Sequence, residues 1–210
     1  MSRAHLFDGI YGRFYDAGIR NRALAPWGGF LMWGADIVRL YRLMEDSIAC
    51  EEGEVVLDVP TGGGVTFATG APRTRGLLVG ADISMGMLRR AAPRRPAHVE
   101  LVQADAGRLP LGDASVDRAC CFNSLHCLPR GIHGKVLKEL RRVLKPGGAL
   151  VGTVLVTDAE GPWRLNVQLA RLSGFFSPAD SRTLARQARR AGFRHWEADL
   201  DGALLTFRAE

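Results

Sequence analysis

The sequence predicts an α/β protein, a mostly parallel sheet covered by helices on both faces, and two observations carry that reading. Short apolar runs rich in β-branched residues recur at 55–59, 77–82, 99–103, 118–122 and 149–156, as strands buried on both faces require. Segments with apolar residues at helical spacing stand between them, among them 84–91 and 132–144. Alternation of this kind folds as β-α-β units around one sheet.

At 210 residues the chain suffices for one sizeable core and not for two, so a single domain with additions is expected. The predicted division is a helical N-terminal extension or cap over 1–52 and an α/β domain over 53–210, with 157–177 as an insertion in it. Hydrophobic residues make up 47% and charged residues 24%, ordinary for a globular protein. The net charge of +6 comes from scattered side chains. Its densest group, Arg89, Arg90, Arg94 and Arg95, is short and has no interleaved aromatics, so no nucleic-acid partner is expected.

Cys50, Cys120, Cys121 and Cys127 form no C-x-x-C pair, so neither a metal site nor a disulfide exchange centre is expected. Cys120 and Cys121 are adjacent in a strand and should point to opposite faces as buried thiols. No apolar run approaches the ~20 residues of a bilayer span, and the first nine residues lack the blocks of a signal peptide. A cytoplasmic monomer or homodimer is the expectation.

In the extension, Phe7, Ile10, Tyr11, Phe14 and Tyr15 recur at helical steps over 6–18. Phe30, Trp33, Ile37, Tyr41, Met44 and Ile48 do so again and predict one amphipathic helix, with a break at 26–29 before it. Val136, Leu137, Leu140, Val143 and Leu144 share one face of the 132–144 helix, and Lys145-Pro146-Gly147-Gly148 is predicted to stop it and turn into the next strand. A helix over 178–191 and closing strands at 193–198 and 203–208 complete the pattern.

The sharpest signal is Leu57-Asp58-Val59-Pro60-Thr61-Gly62-Gly63-Gly64, a strand that delivers a carboxylate and then a glycine bend. Glycine permits positive φ and close approach of backbone to a ligand. The glycines are consecutive and Phe67 stands where a dinucleotide motif has its third glycine. No Lys-Ser or Lys-Thr follows, which removes a Walker loop. Further along come Gly80-Ala81-Asp82-Ile83-Ser84, then Val102-Gln103-Ala104-Asp105-Ala106 with Leu109-Pro110-Leu111, and finally Leu140 to Gly148.

These four features, in this order over roughly 54–155, resemble the class I S-adenosylmethionine-dependent methyltransferases, in particular the branch of the ubiquinone and menaquinone C-methyltransferases. The resemblance implies a Rossmann-like three-layer sandwich with a mostly parallel seven-stranded sheet and one antiparallel strand. It implies S-adenosylmethionine as cofactor, with the glycine loop around its methionine part. Asp82 would accept from the two ribose hydroxyls, Asp105 from the adenine amino group, and the Ala106 N–H would serve a ring nitrogen. The implied cofactor set is Asp58, Pro60, Thr61, Gly62, Gly64, Asp82, Ile83, Met87, Asp105, Ala106 and Asn123, joined by Tyr11 and Tyr15 closing from the extension. One departure stands out: Pro60 replaces the usual first glycine, fixing φ and removing an N–H, and Thr61 replaces a common cysteine or serine.

A methyl carbon on a sulfonium is already electrophilic, so positioning and exclusion of water are the main demands. His126, in Asn123-Ser124-Leu125-His126, is the candidate base for a hydroxyl or acidic carbon, with packing as its other reading. Tyr11 and Tyr15 have a like alternative as the buried face of a helix. Trp163, Phe175 and Phe176 are the candidate apolar wall for a small, apolar or aromatic acceptor, with Arg164 or Arg171 for an anionic group. The competing reading is a non-catalytic protein that binds the cofactor or S-adenosylhomocysteine. A nicotinamide oxidoreductase is disfavoured by the glycine spacing.

Overall fold

The computed structural model describes residues 21, 24–70, 74–159, 161–172, 174 and 176–210. The predicted helix over 6–18, with Tyr11 and Tyr15, and Phe175 lie outside the described residues. Seven strands form one sheet: β1 (Val55–Asp58), β2 (Leu77–Asp82), β3 (Val99–Gln103), β4 (Val116–Phe122), β5 (Leu144–Leu155), β6 (Trp196–Asp201) and β7 (Leu204–Ala209). Their order is β3-β2-β1-β4-β5-β7-β6. All pairs are parallel except those of β7, which runs antiparallel to both β5 and β6. The single antiparallel strand is therefore as expected.

Helices cover both faces. On one, Val136, Leu137, Leu140 and Val143 of α5 (Arg130–Val143) and Leu184 and Ala188 of α7 (Ser181–Ala191) pack on Leu57, Val79, Ala119, Cys121, Leu150 and Phe207. On the other, α2 (Ile37–Ile48), α3 (Val65–Gly70), α4 (Met85–Ala91) and α6 (Trp163–Leu172) supply Leu40, Met44, Ile48, Phe67, Ala91 and Val167 against Val56, Leu78, Cys120 and Val151. Cys120 and Cys121 thus join opposite cores, as the two-residue strand period demands. Arg118 on β4 donates to the Ser47 and Ala49 carbonyls at 3.0 and 2.8 Å, closing the C-terminus of α2 with a cation where the helix dipole favours one.

The chain departs from sequence expectation in five places. The helix predicted through Phe30 to Ile48 is two, α1 (Ala25–Trp33) and α2. Gly34, at φ +70°, caps α1 through bonds to Gly29 and Phe30 carbonyls, and Asp36 caps α2 by accepting from Val38 and Arg39 N–H. The break predicted at 26–29 falls inside α1, because Pro26 sits in the first turn, where its missing N–H costs nothing. Lys145 to Gly148 belong to β5 itself, with a register shift opposite Val116 and Arg118 and Gly147 at φ +80°. Finally, α7 begins at Ser181 behind the capping Asp180, and β6 starts at Trp196 rather than 193; Phe193 is buried ahead of it.

Candidate cofactor and active site

The carboxyl ends of β1, β2, β3 and β4 meet where the strand order reverses between β1 and β4, the place where open α/β sheets bind ligands. At the tip of β1, Asp58 is fully buried and its Oδ2 accepts from Thr61 Oγ1 at 2.8 Å and Thr66 Oγ1 at 2.5 Å. Burial pushes this carboxyl up to about 6, the two hydroxyls opposing the shift and the Asp82 charge adding to it. The glycine bend follows. Thr61 N–H donates to the Ala81 carbonyl at 2.8 Å and Gly62 N–H to Asp82 Oδ2 at 2.8 Å, tying the bend to the end of β2. Arg94 Nη1 holds the Gly63 carbonyl at 2.6 Å. The Val59–Pro60 peptide is cis.

The glycines serve different ends. A Cβ on Gly62, at φ +56°, would meet open space, so its conformation needs glycine and its outer side leaves room for a ligand. One on Gly64 would strike the Phe67 ring at 2.8 Å. Gly80 on β2 is equally constrained, since a Cβ there would lie 2.6 Å from Phe67 and 3.0 Å from Leu101.

Asp82 is 6% exposed, and its Oδ1 also accepts from Ser84 N–H at 2.8 Å. These two amides fix the orientation of the carboxylate at the end of β2. Ile83 beside it is 47% exposed, an unusual state for isoleucine at a strand end, while Gln103 Nε2 pins its carbonyl at 3.1 Å. Met87 is buried, its sulfur accepting from Arg90 Nη2 at 3.0 Å, so its side chain belongs to the packing of α4. Beyond β3, Asp105 Oδ1 accepts from Gly107 N–H at 2.8 Å, its Oδ2 stands 4.0 Å from Lys135 Nζ, and its side chain is half exposed. Ala106 follows it, buried.

At the tip of β4, Asn123 takes a left-handed φ of +48°. Its N–H donates to the Thr153 carbonyl at 2.9 Å and lies 3.1 Å from Thr153 Oγ1, which itself donates to Asn123 Oδ1. Strain of this kind gathers at functional sites. His126 is buried, and its Nδ1 accepts from Leu155 N–H at 3.2 Å, which leaves the ring proton on Nε2. Burial, followed by the nearby His133, lowers its pKa to about 3. Phe176 packs against its ring at 5.2 Å and against Trp33 at 6.3 Å. Trp163 turns instead to α1, its ring edge-on to Phe30 and its Nε1 donating to the Phe30 carbonyl at 3.0 Å. Arg164 and Arg171 are exposed.

Asp58, Asp82 and the bend at 60–64 are brought into one bonded unit, with Asp105 and Asn123 on neighbouring strand ends. The arrangement suits an adenosyl group joined to an amino acid: a carboxylate at the end of β2 and another beyond β3, an exposed isoleucine beside the first, and a glycine bend whose outer side is clear. Thr66, Arg94, Thr153 and Lys135 were not legible as site residues from the sequence. Only Thr66 had a signal, a hydroxyl eight residues beyond the buried acid, where the first turn after the bend returns to the strand tip. Among the described residues no cluster of metal-ligating side chains occurs.

Residues 56–148 match the family model for a methyltransferase domain, and in sequence and fold the chain resembles the class I S-adenosylmethionine-dependent methyltransferases. Within that class it resembles the quinone C-methyltransferases: it is 41% identical over 151 residues to the ubiquinone/menaquinone biosynthesis C-methyltransferase UbiE of Syntrophotalea carbinolica, covering 70% of this chain and 58% of that one. The chain spans about half the length of the curated relatives it matches. Among solved structures, a SAM-dependent methyltransferase from Thermotoga maritima superposes with a TM-score of 0.70 at 18% identity, covering 99% of both chains. The 4+2 cyclase SpnF superposes with a TM-score of 0.64 at 26% identity, over 78% of this chain and 60% of that one.

Proposed function

We propose that this protein binds S-adenosylmethionine at the β1–β4 tips and transfers its methyl group to a small apolar or aromatic organic acceptor. The observation that carries the reading is the glycine bend locked to Asp82 through the 2.8 Å Gly62 N–H bond, with open space outside Gly62. In it, Asp82 accepts from the vicinal ribose hydroxyls, Asp105 from the adenine amino group, and the exposed Ile83 covers an adenine face. Asp58 acts indirectly, fixing Thr61 and Thr66 and with them the bend. When bound, the cofactor supplies an electrophilic methyl carbon. The chain's part is to hold the acceptor in line and keep water out, and orientation of this kind is worth roughly 7–11 kcal/mol in favourable systems.

We assign His126 to packing rather than to proton transfer. Its Nδ1 lone pair is taken by Leu155 N–H, and a group titrating at about 3 is a poor base near neutrality. The apolar acceptor is supported by Phe176 and Trp33 beside the β4 tip and by the resemblance to quinone-modifying relatives.

Titration calorimetry with S-adenosylmethionine and S-adenosylhomocysteine, followed by methyl-release assays on phenolic, quinol and polar acceptors, tests the reading. Asp82→Asn should weaken cofactor binding by roughly tenfold to a hundredfold, the loss of bonds to a charged acceptor. No affinity for either ligand, or turnover confined to highly charged acceptors, overturns it. Pro60 at the start of the bend, and a similar fold in a cyclase, favour one other reading: cofactor binding without methyl release.

A further inference from the structure

Helix α1 has the sequence Ala-Pro-Trp-Gly-Gly-Phe-Leu-Met-Trp, apolar on every side, yet none of its residues is buried. Leu24, Trp27 and Leu31, spaced as one helical stripe, are 66%, 77% and 77% exposed, with Phe30 and Met32 exposed beside them. On α6, Leu165, Leu169 and Leu172 form a second stripe, 60%, 56% and 82% exposed. The two helices are fastened together by the Phe30–Trp163 contact and by Asn166 Nδ2 donating to the Met32 carbonyl at 2.7 Å. Single exposed leucines are ordinary, but two stripes on joined helices mark an interaction surface. A helix apolar all round is stable only when something apolar covers it.

The charge carried by the two helical segments themselves is of one sign. Residues 21–35 and 161–177 contain no aspartate or glutamate, and their charged residues are Arg22, Arg164 and Arg171. Arg164 and Arg171 are exposed on α6 itself.

We propose that α1 and α6 form a docking surface for an anionic phospholipid membrane. Leucine, phenylalanine and tryptophan side chains would enter the headgroup–acyl boundary, the tryptophan ring being suited to that depth. The arginines would meet lipid phosphates, with no acid on either helix to repel them. A symmetric contact with a second copy fits less well, because it would set the same arginines against each other without a counter-charge. The inference rests on exposure and charge alone and does not require the methyl-transfer reading.

Co-sedimentation of the full chain with vesicles of phosphatidylcholine, alone or mixed with phosphatidylglycerol, provides the test. Binding is expected to the mixed vesicles, with a blue shift in tryptophan emission that Trp27→Phe removes. Trp27→Glu with Leu31→Glu, and independently Leu169→Glu with Leu172→Glu, should each lower the vesicle partition coefficient at least roughly tenfold, the cost of placing charges in the interface. Arg164→Ser and Arg171→Ser should each lower it about fivefold. Unchanged far-ultraviolet circular dichroism keeps the variants comparable. Equal binding of wild type and variants, equal binding to neutral and anionic vesicles, or no binding overturns the proposal. So does a dimer in light scattering that the glutamate variants dissociate.

Discussion

Asp58 illustrates how one side chain serves the site at a cost to the fold. Its carboxyl is raised from an ordinary 3.8 to about 6 by burial, so between those values the native state keeps a proton that the unfolded chain has released. Stability from this group is therefore complete below pH 3.8 and lost as pH rises to 6, by about 3 kcal/mol in all. Asp58→Asn should remove that slope, which urea midpoints from pH 4 to 7 will reveal. His126 acts in the opposite direction. Its pKa falls from 6.5 to about 3, so stability is present above 6.5 and declines as acid protonates the unfolded chain first. His126→Asn retains an acceptor for Leu155 N–H and removes the titration. It should flatten the acid limb of stability while leaving the pH profile of methyl transfer unchanged; a displaced profile would restore the imidazole as base. At this scale the three acids were legible because each follows an apolar run. Arg94 and Thr153 were not, since the distance from Arg94 to Gly63 or from Thr153 to Asn123 along the chain, 31 and 30 residues, leaves no local trace.

Among the elements, glycines separate into those the architecture needs and those it merely carries. Gly80→Ala would drive a methyl group into Phe67, Leu101 and Thr61, where overpacking costs about 1–3 kcal/mol. Because Phe67 and Thr61 also support the glycine bend, the variant should lose cofactor affinity along with thermal stability, both measurable by calorimetry. Gly134, inside α5, has nothing near its missing side chain. Gly134→Ala should add about 0.5–1 kcal/mol and raise Tm by a few degrees, about 2–4 °C per kcal/mol. The helix break illustrates the limit of periodicity. Phe30 through Ile48 keep helical spacing across Gly34, yet Ala203 N–H bonds to the Trp33 carbonyl at 2.7 Å and Asp36 N–H to Asp201 Oδ2 at 2.7 Å. Contacts from the far end of the chain bend it there, and a Cβ on Gly34 would meet the Trp163 ring at 2.5 Å.

For the whole molecule, the last strand closes the sheet. β7 pairs with β5 on one side and β6 on the other, and Leu205, Phe207 and Ala209 enter the larger core while Leu204 enters the other. Removing residues 204–210 should abolish cooperative thermal unfolding, which circular dichroism will register, because β5 then has an unpaired edge and both cores lose their closing residues. The same topology sets β1 beside β4 and so brings Asp58, the glycine bend and Asn123 to the carboxyl ends of neighbouring strands. Among the described residues no helix is long and apolar enough to cross a membrane, and the apolar surface of α1 and α6 lies outside both cores.

The sequence by itself determined the alternation of strands and helices, the acidic strand ends and the glycine bend, because burial on both sheet faces and positive φ impose local residue choices that survive without context. Tertiary structure alone decided what each group faces. It set Asp82 as the anchor of the bend, withdrew the His126 lone pair to Leu155, split the N-terminal helix at Gly34 and left α1 uncovered. Those outcomes depend on hydrogen bonds and packing between segments far apart in the chain, for which no local pattern is required.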